Sequence, residues 1–92
     1  MTRMVVEYDT EADATYVQLP SYDESAVERT VEVMDSSVTV DVERSGAPIG
    51  VEFLCAPAEV DEAMLAALAG RYPALDFLSL RMALSGHSLK TA

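Results

Sequence analysis

The chain has 92 residues, half of them hydrophobic, with a formal net charge of −10 and one cysteine. This composition is too apolar for a disordered acidic tail, so we expect one folded domain, residues 1–92. Because the sequence shows neither a signal segment nor a second cysteine, we expect the protein in a reducing cytoplasm. The most apolar weakly charged stretch, residues 74–84, is too short to span a bilayer, so we expect no membrane segment.

The charge is divided unevenly along the chain. Residues 1–62 contain fifteen acids and three arginines, a balance of −12, whereas residues 63–92 contain one aspartate and three bases, a balance of +2. A negative field repels phosphate backbones, so we expect no nucleic-acid binding. Two interpretations stay open: the acids attract a basic protein partner, or they only keep a small β-rich protein soluble.

Five segments alternate apolar and polar residues with the period of a half-buried strand. They are residues 3–8, 14–19, 27–34, 38–43 and 49–55, and the turns between them are rich in Asp, Ser, Gly and Pro. Because each segment follows the previous one after a short connection, we predict a five-stranded antiparallel meander within residues 1–56.

After Pro57 the apolar residues change to helical spacing. Val60, Met64 and Leu68 recur on one side of a first predicted helix, which Arg71 ends. The predicted fold is therefore α+β, with the five strands followed by two C-terminal helices. We assign residues 57–85 to the helical part and residues 86–92 to a flexible tail.

The second predicted helix runs from Pro73, a favourable first helical residue, to about Ser85. Its Leu, Met and Ala content favours a helix, although the apolar residues of the segment also alternate as they would in a strand. As a helix it has two apolar stripes, the first made of Leu75, Leu78 and Met82 and the second of Phe77, Leu80 and Leu84.

A sheet this small covers only one of these stripes. We therefore predict that Phe77, Leu80 and Leu84 form the interface of a homo-oligomer, with a dimer as the favoured state, or of a complex with another protein. The alternative is a helix sandwiched inside one subunit.

Asp9, Glu11 and Asp13 lie two positions apart, the spacing at which a calcium loop places oxygens around its ion. The rest of that loop is absent, because Ala14 stands where a glycine is required and Pro20 where a glutamate is required. We expect no metal or cofactor: Asp9 and Asp13 accept backbone N–H bonds in a turn, and Glu11 faces water. An enzyme that binds a metal or small ligand through these acids is the alternative function.

No other pattern identifies an active site. Asp41 and Glu43 project from one face of a strand together with Thr39, but without an apolar pocket both should stay ionised. Cys55 has no neighbouring base that would lower its pKa, so we interpret it as a small core residue. The sequence therefore favours a protein without enzymatic activity.

Three segments carry a family resemblance: residues 8–19 (YDTEADATYVQL), 38–42 (VTVDV) and 49–54 (IGVEFL). In order and spacing, over about residues 4–55, they resemble the small prokaryotic family called domain of unknown function 2283. The resemblance implies a compact antiparallel sheet with no assigned activity or catalytic residue, and an association with toxin-like partners encoded in paired operons. We therefore expect an interaction or oligomerisation module that neutralises a basic toxin-like protein.

Overall fold

The computed structural model describes the backbone of residues 3–90 and the side chains of residues 3–86. One sheet contains five antiparallel strands: β1 Val5–Asp9, β2 Ala14–Gln18, β3 Arg29–Met34, β4 Val38–Val42 and β5 Pro48–Phe53. Helices α1 Glu62–Arg71 and α2 Phe77–Lys90 follow, and short 3-10 turns lie at Glu24–Ala26 and Pro57–Glu59. The α+β class, the five strands and the two C-terminal helices are confirmed.

The strands lie in the order β1-β2-β5-β4-β3. The hairpins β1–β2, β3–β4 and β4–β5 pair locally, as predicted. Strand β2 pairs with β5, with Thr15 opposite Phe53 and Gln18 opposite Gly50, so the sheet departs from a strict meander at this connection. The departure is possible because residues 19–28 easily span the three strand spacings, about 14 Å, between β2 and β3.

Both helices pack on one face of the sheet. Leu65 and Leu68 of α1 and Leu80 and Leu84 of α2 contact a set of buried strand side chains. That set consists of Val17 and Leu19 with Val38, Val40, Val42, Val51 and Phe53. The alternate residues of the strands point the other way, onto a face that neither helix covers. We call it the open face.

Each helix begins after an aspartate that caps it. The Oδ1 atom of Asp61 accepts the backbone N–H of Met64 at 2.9 Å, and Oδ1 of Asp76 accepts that of Ser79 at 3.0 Å. The Ser79 hydroxyl also donates to Oδ2 of Asp76 at 2.6 Å. These bonds satisfy amides that have no partner inside the first turn of a helix.

Helix α2 differs in extent from the sequence prediction. It begins at Phe77 because Asp76 caps it, four residues after the predicted start at Pro73. It continues past Ser85 to Lys90, through most of the segment predicted as a tail, of which residues 91–92 lie outside the described residues. Between residues 3 and 90, no helix is both long and apolar enough to cross a membrane.

The two predicted apolar stripes lie differently from the prediction, although Leu75 of the first stripe precedes α2 and packs against the core. Leu80 and Leu84, assigned to an interface, are only 1% and 5% exposed and belong to the core, and Phe77 packs against it. Leu78 and Met82 are instead 69% and 66% exposed. The assignment is corrected because both stripes are apolar, and the sequence pattern does not show which one the sheet covers.

Tyr16 of β2 lies over Gly50 of β5 and reaches the next strand. Its hydroxyl donates to Oδ2 of Asp41 on β4 at 2.6 Å. A Cβ atom added at Gly50 would lie 1.9 Å from the Tyr16 hydroxyl oxygen, so only glycine leaves room for the ring. The contact joins three neighbouring strands in one register.

Replacing Gly50 with alanine should displace the Tyr16 ring and break its hydrogen bond to Asp41. We expect the free energy of unfolding, measured by urea denaturation, to fall by about 1.5–3 kcal/mol, the value of a hydrogen bond to a charged acceptor. Gly70→Ala is the matched control, because its added methyl meets no atom within 4 Å and a helical alanine should stabilise slightly. Equal stability of wild type and Gly50→Ala would contradict the register role.

Removing the α2 cap should lower stability in a pH-dependent way. Bonds from Ser79 hold the pKa of Asp76 below its ordinary range. A carboxyl whose pKa is lowered by folding stabilises the protein above its unfolded pKa, and the effect is lost as the pH falls through the folded pKa. Asp76→Ala should therefore lower the melting temperature by a few degrees at neutral pH, with the difference shrinking below roughly pH 4.

Asp76→Asn is the control for this effect, since asparagine retains the acceptor oxygen but does not titrate. Its melting temperature should stay near that of the wild type at neutral pH. A melting temperature that Asp76→Ala leaves unchanged would show that the cap does not stabilise α2.

Candidate functional site

The open face carries a row of three glutamates, one on every second strand. Backbone pairing aligns one side chain from each strand in a single row: Glu7, Tyr16, Glu52, Thr39 and Glu32. The three glutamates stand on the two edge strands and the central strand, about 10 Å apart, which is two strand spacings. At that separation salt weakens their mutual repulsion, while their fields add in the solvent above the sheet.

The neighbouring row contains a fourth acid, which is held in place. Asp41 accepts the Tyr16 hydroxyl on Oδ2 and the Thr30 hydroxyl on Oδ1, the latter at 2.5 Å. The sequence predicts that Asp41 and Glu43 project from one face of a strand, but Glu43 accepts the backbone N–H of Ser45 in the following turn. The two carboxylates therefore serve different structures and do not form an acid–base pair.

Two protonated groups lie on either side of the sheet, the Tyr16 phenol on the open face and the Cys55 thiol beside Met64 on the helical side. Burial, followed by the bond to Asp41, raises the pKa of the Tyr16 phenol far above its usual range. The ring of Tyr22 packs edge-to-face against that of Tyr16, with 5.7 Å between the ring centroids. Burial also raises the pKa of the half-buried Cys55 thiol, with the charge of Glu59 adding to it. Both groups stay protonated, which favours neither a base nor a nucleophile.

Asp9 and Asp13 accept hydrogen bonds that shape the β1–β2 turn. Oδ1 of Asp9 accepts the backbone N–H groups of Glu11 and Ala12 at 3.0 and 3.3 Å, as predicted. Asp13 differs from the prediction: it has a φ of 51° and accepts the Tyr8 hydroxyl at 2.6 Å. This bond raises the pKa of the Tyr8 phenol. Across the described residues, no three Asp, Glu, His or Cys side chains converge as a metal would require.

Cavities do not bring the three turn acids together either. A cleft of about 340 Å³ on the open face is bordered by Asp9, Glu7 and Glu52, but not by Glu11 or Asp13. A larger cavity, about 750 Å³, lies beside the connection between the helices, away from all three turn acids. Neither of these two cavities is lined by all three of Asp9, Glu11 and Asp13.

No sequence pattern singles out Glu7, Glu32 or Glu52. Each occupies an outward position of a recognised strand, so the alternation predicts that each faces solvent. Their alignment in one row depends on the pairing of β2 with β5, which the sequence does not reveal. The alternation within each strand shows that its glutamate faces solvent, but it does not show which strands are neighbours.

Comparison with known proteins identifies the sheet region. The family model described as a protein of unknown function, DUF2283, matches residues 6–56, which is more than half of the chain and nearly all of the sheet. The match confirms the resemblance seen over residues 4–55. No curated protein and no solved structure gives a significant match. The chain therefore belongs to the DUF2283 family of proteins of unknown function.

Proposed function

We propose that this protein is a non-enzymatic interaction module that binds a basic protein through its open face. The observation that carries the proposal is the row formed by Glu7, Glu52 and Glu32, with Asp41 beside it. Within the described side chains, the ion pair joins Arg81 to Glu62 on the helical side, and the acids of the open face have no such partner. Their charge is available to lysines and arginines of another protein.

The geometry favours a folded partner with spaced basic residues. Strand pairing fixes the backbone positions of these residues, so less backbone entropy is lost on binding than with a flexible acidic tail. Tyr16 and Thr30 orient the carboxylate of Asp41 before any partner arrives. A field of one sign also accelerates encounter with a basic surface and weakens as salt is added.

The family resemblance favours a toxin-like basic protein as the partner, with neutralisation as the outcome. A basic toxin that acts on an anionic substrate would present the same positive surface to the open face. Binding there would cover that surface, which is how an acidic module without its own chemistry inhibits an enzyme.

Charge reversal on the open face should abolish partner binding. We expect tagged wild-type protein, expressed in its native host, to retain a basic protein in stoichiometric amount, identified by mass spectrometry. The variant Glu32→Lys/Glu52→Lys should lose it, because two attractive contacts become repulsive. Titration with the purified partner should then show an affinity at least about a hundredfold lower for the variant.

The matched control is Glu11→Lys/Glu24→Lys, which changes the net charge equally at exposed turn positions. It should retain the partner with near wild-type affinity. Equal losses in both variants would indicate only a general charge effect, and retention by the open-face variant would contradict the proposed binding face.

The second candidate function is a metal-dependent or small-ligand enzyme that uses Asp9, Glu11 and Asp13. Because Asp9 and Asp13 already accept hydrogen bonds that shape their turn, we expect calorimetric titration with calcium, magnesium and manganese to give no saturable heat. Saturable binding that Asp9→Asn removes and Glu24→Gln leaves intact would favour this second function.

A further inference from the structure

A cavity of about 750 Å³ lies beside the connection between α1 and α2 and is not lined by Glu7, Glu52 or Glu32. Four parts of the chain line it: the residues before β1, the turn after β2, the start of β5, and residues 71–76 with Ser79. Small-molecule sites in proteins commonly have volumes of about 300–1,000 Å³. The cavity is therefore large enough for a small ligand, and elements distant in sequence fix its shape.

The walls of this cavity are mainly apolar. Leu19 belongs to the core, and Met4 and Leu75 pack against it, so these three side chains connect the cavity to the core. The Tyr72 ring and three prolines form the other apolar surfaces: Pro20, Pro48 and Pro73. Because a proline ring fixes the φ angle of its residue, these positions lose little freedom when a ligand binds. Such walls suit a ligand with an apolar body.

Two positively charged side chains, Arg3 and Arg71, line the same cavity. The guanidinium of Arg71 lies over the Tyr72 ring, 5.9 Å from its centroid, in a cation–π contact that restrains it. Among the described side chains the ion pair is formed elsewhere, by Arg81 and Glu62, so no acid neutralises either cavity arginine. A guanidinium donates N–H bonds in the planar geometry that a carboxylate accepts. These two arginines therefore offer donors to an anionic group.

One acid, Asp76, also lines the cavity, but both of its oxygens are occupied. Oδ1 accepts the backbone N–H of Ser79, and Oδ2 accepts the Ser79 hydroxyl. The two arginines exceed this acid by one charge, so the cavity is locally positive in a chain with a net charge of −10. A ligand with a single negative charge balances that excess, whereas a cation would be repelled.

From these observations we propose that the cavity binds a small amphipathic carboxylate, a molecule with one carboxylate on an apolar body. Its carboxylate accepts N–H bonds from Arg3 and Arg71, and its body lies against Leu19, Leu75 and Tyr72. A phosphate with two negative charges would exceed the local positive charge, and an uncharged apolar molecule would gain nothing from the arginines. This inference goes beyond the binding of a basic partner and does not depend on it, because the cavity and the acids of the open face share no residue.

The test is the binding of three probes to the full chain by isothermal titration calorimetry, with no other protein present. Decanoate carries a carboxylate on a flexible chain, 2-naphthoate carries it on a flat ring, and decyltrimethylammonium carries a positive head on a chain like that of decanoate. We expect at least one carboxylate to bind saturably, at least about tenfold more tightly than decyltrimethylammonium. The net charge of −10 alone would favour the cation, so this order would report the charge of the cavity.

The variant Arg3→Gln/Arg71→Gln removes both positive charges from the cavity but keeps polar side chains there. It should weaken carboxylate binding by at least about tenfold, because charge-assisted hydrogen bonds are lost. The matched control is Arg29→Gln/Arg44→Gln, which removes two charges at the start of β3 and in the β4–β5 turn. It should bind the carboxylate like the wild type.

A second variant fills the cavity instead of changing its charge. Ala74→Trp should place a large ring there and abolish binding of the carboxylate. Ala66→Trp, at an exposed position of α1 that does not line the cavity, is its control and should leave binding unchanged. Far-ultraviolet circular dichroism checks that each variant is folded. In the wild type, titration with the carboxylate should shift the backbone amide signals of residues 71–76.

Absence of saturable binding of both carboxylates up to about ten millimolar would overturn the proposal. Binding of the cation as tight as that of the carboxylates would overturn it as well, and so would folded Arg3→Gln/Arg71→Gln or Ala74→Trp variants that bind like the wild type. Because every measurement uses this chain alone and a site away from the open face, the result is separate from that of the partner-binding experiments.

Discussion

Strand β5 pairs with β2 on one side and with β4 on the other, and this double pairing unites two parts of the chain that are distant in sequence. Without it, β1–β2 would be an isolated hairpin, which is marginally stable in water at best. With it, one row of valines crosses all five strands beneath the helices: Val6, Val17, Val51, Val40 and Val31. The branched side chains of this row fit the pleated surface and build much of the core.

The same pairing organises the opposite face. Since successive residues of a strand point to opposite sides, aligning the valines on the covered side also aligns the residues that follow or precede them on the open side. Glu7, Glu52 and Glu32 come into one row by this geometry, with uncharged Tyr16 and Thr39 between them. Within this row no two like charges lie directly opposite each other on neighbouring strands, where they would destabilise the sheet.

Much of the fold is visible in the sequence, and the part that is not has a physical reason. The alternation in residues 38–42 and the helical spacing around Leu65 and Leu68 predict local structure because burial imposes one period on each element. Strand order is different, because the alternating apolar patterns of β2, β3 and β4 are too alike to specify a distant partner. For α2, apolar residues on both sides leave the choice of the covered stripe to the shape of the sheet.

The candidate site, like the fold, is predictable from the sequence only where it depends on local contacts. The turn formed by Asp9 follows from local chemistry and was predictable, since an aspartate commonly accepts backbone amides two or three residues ahead. The bond between Tyr16 and Asp41 depends on Gly50 lying between their strands, and no local pattern encodes that arrangement. The sequence shows that this part of the chain is acidic, and the structure shows how the carboxylates of the open face are spaced.

The position of β5 in the chain also has a consequence for how the protein folds. Strands β3, β4 and β5 are contiguous and can pair as soon as they are synthesised, whereas the earlier β1–β2 hairpin has to wait for β5 before it can add to them. Closing that longer loop costs more entropy than closing the turns of β3–β4 and β4–β5, so we expect the hairpin to dock after those strands have paired. Until then β2 exposes apolar side chains, and the negative charge of residues 1–62 keeps such chains apart from one another.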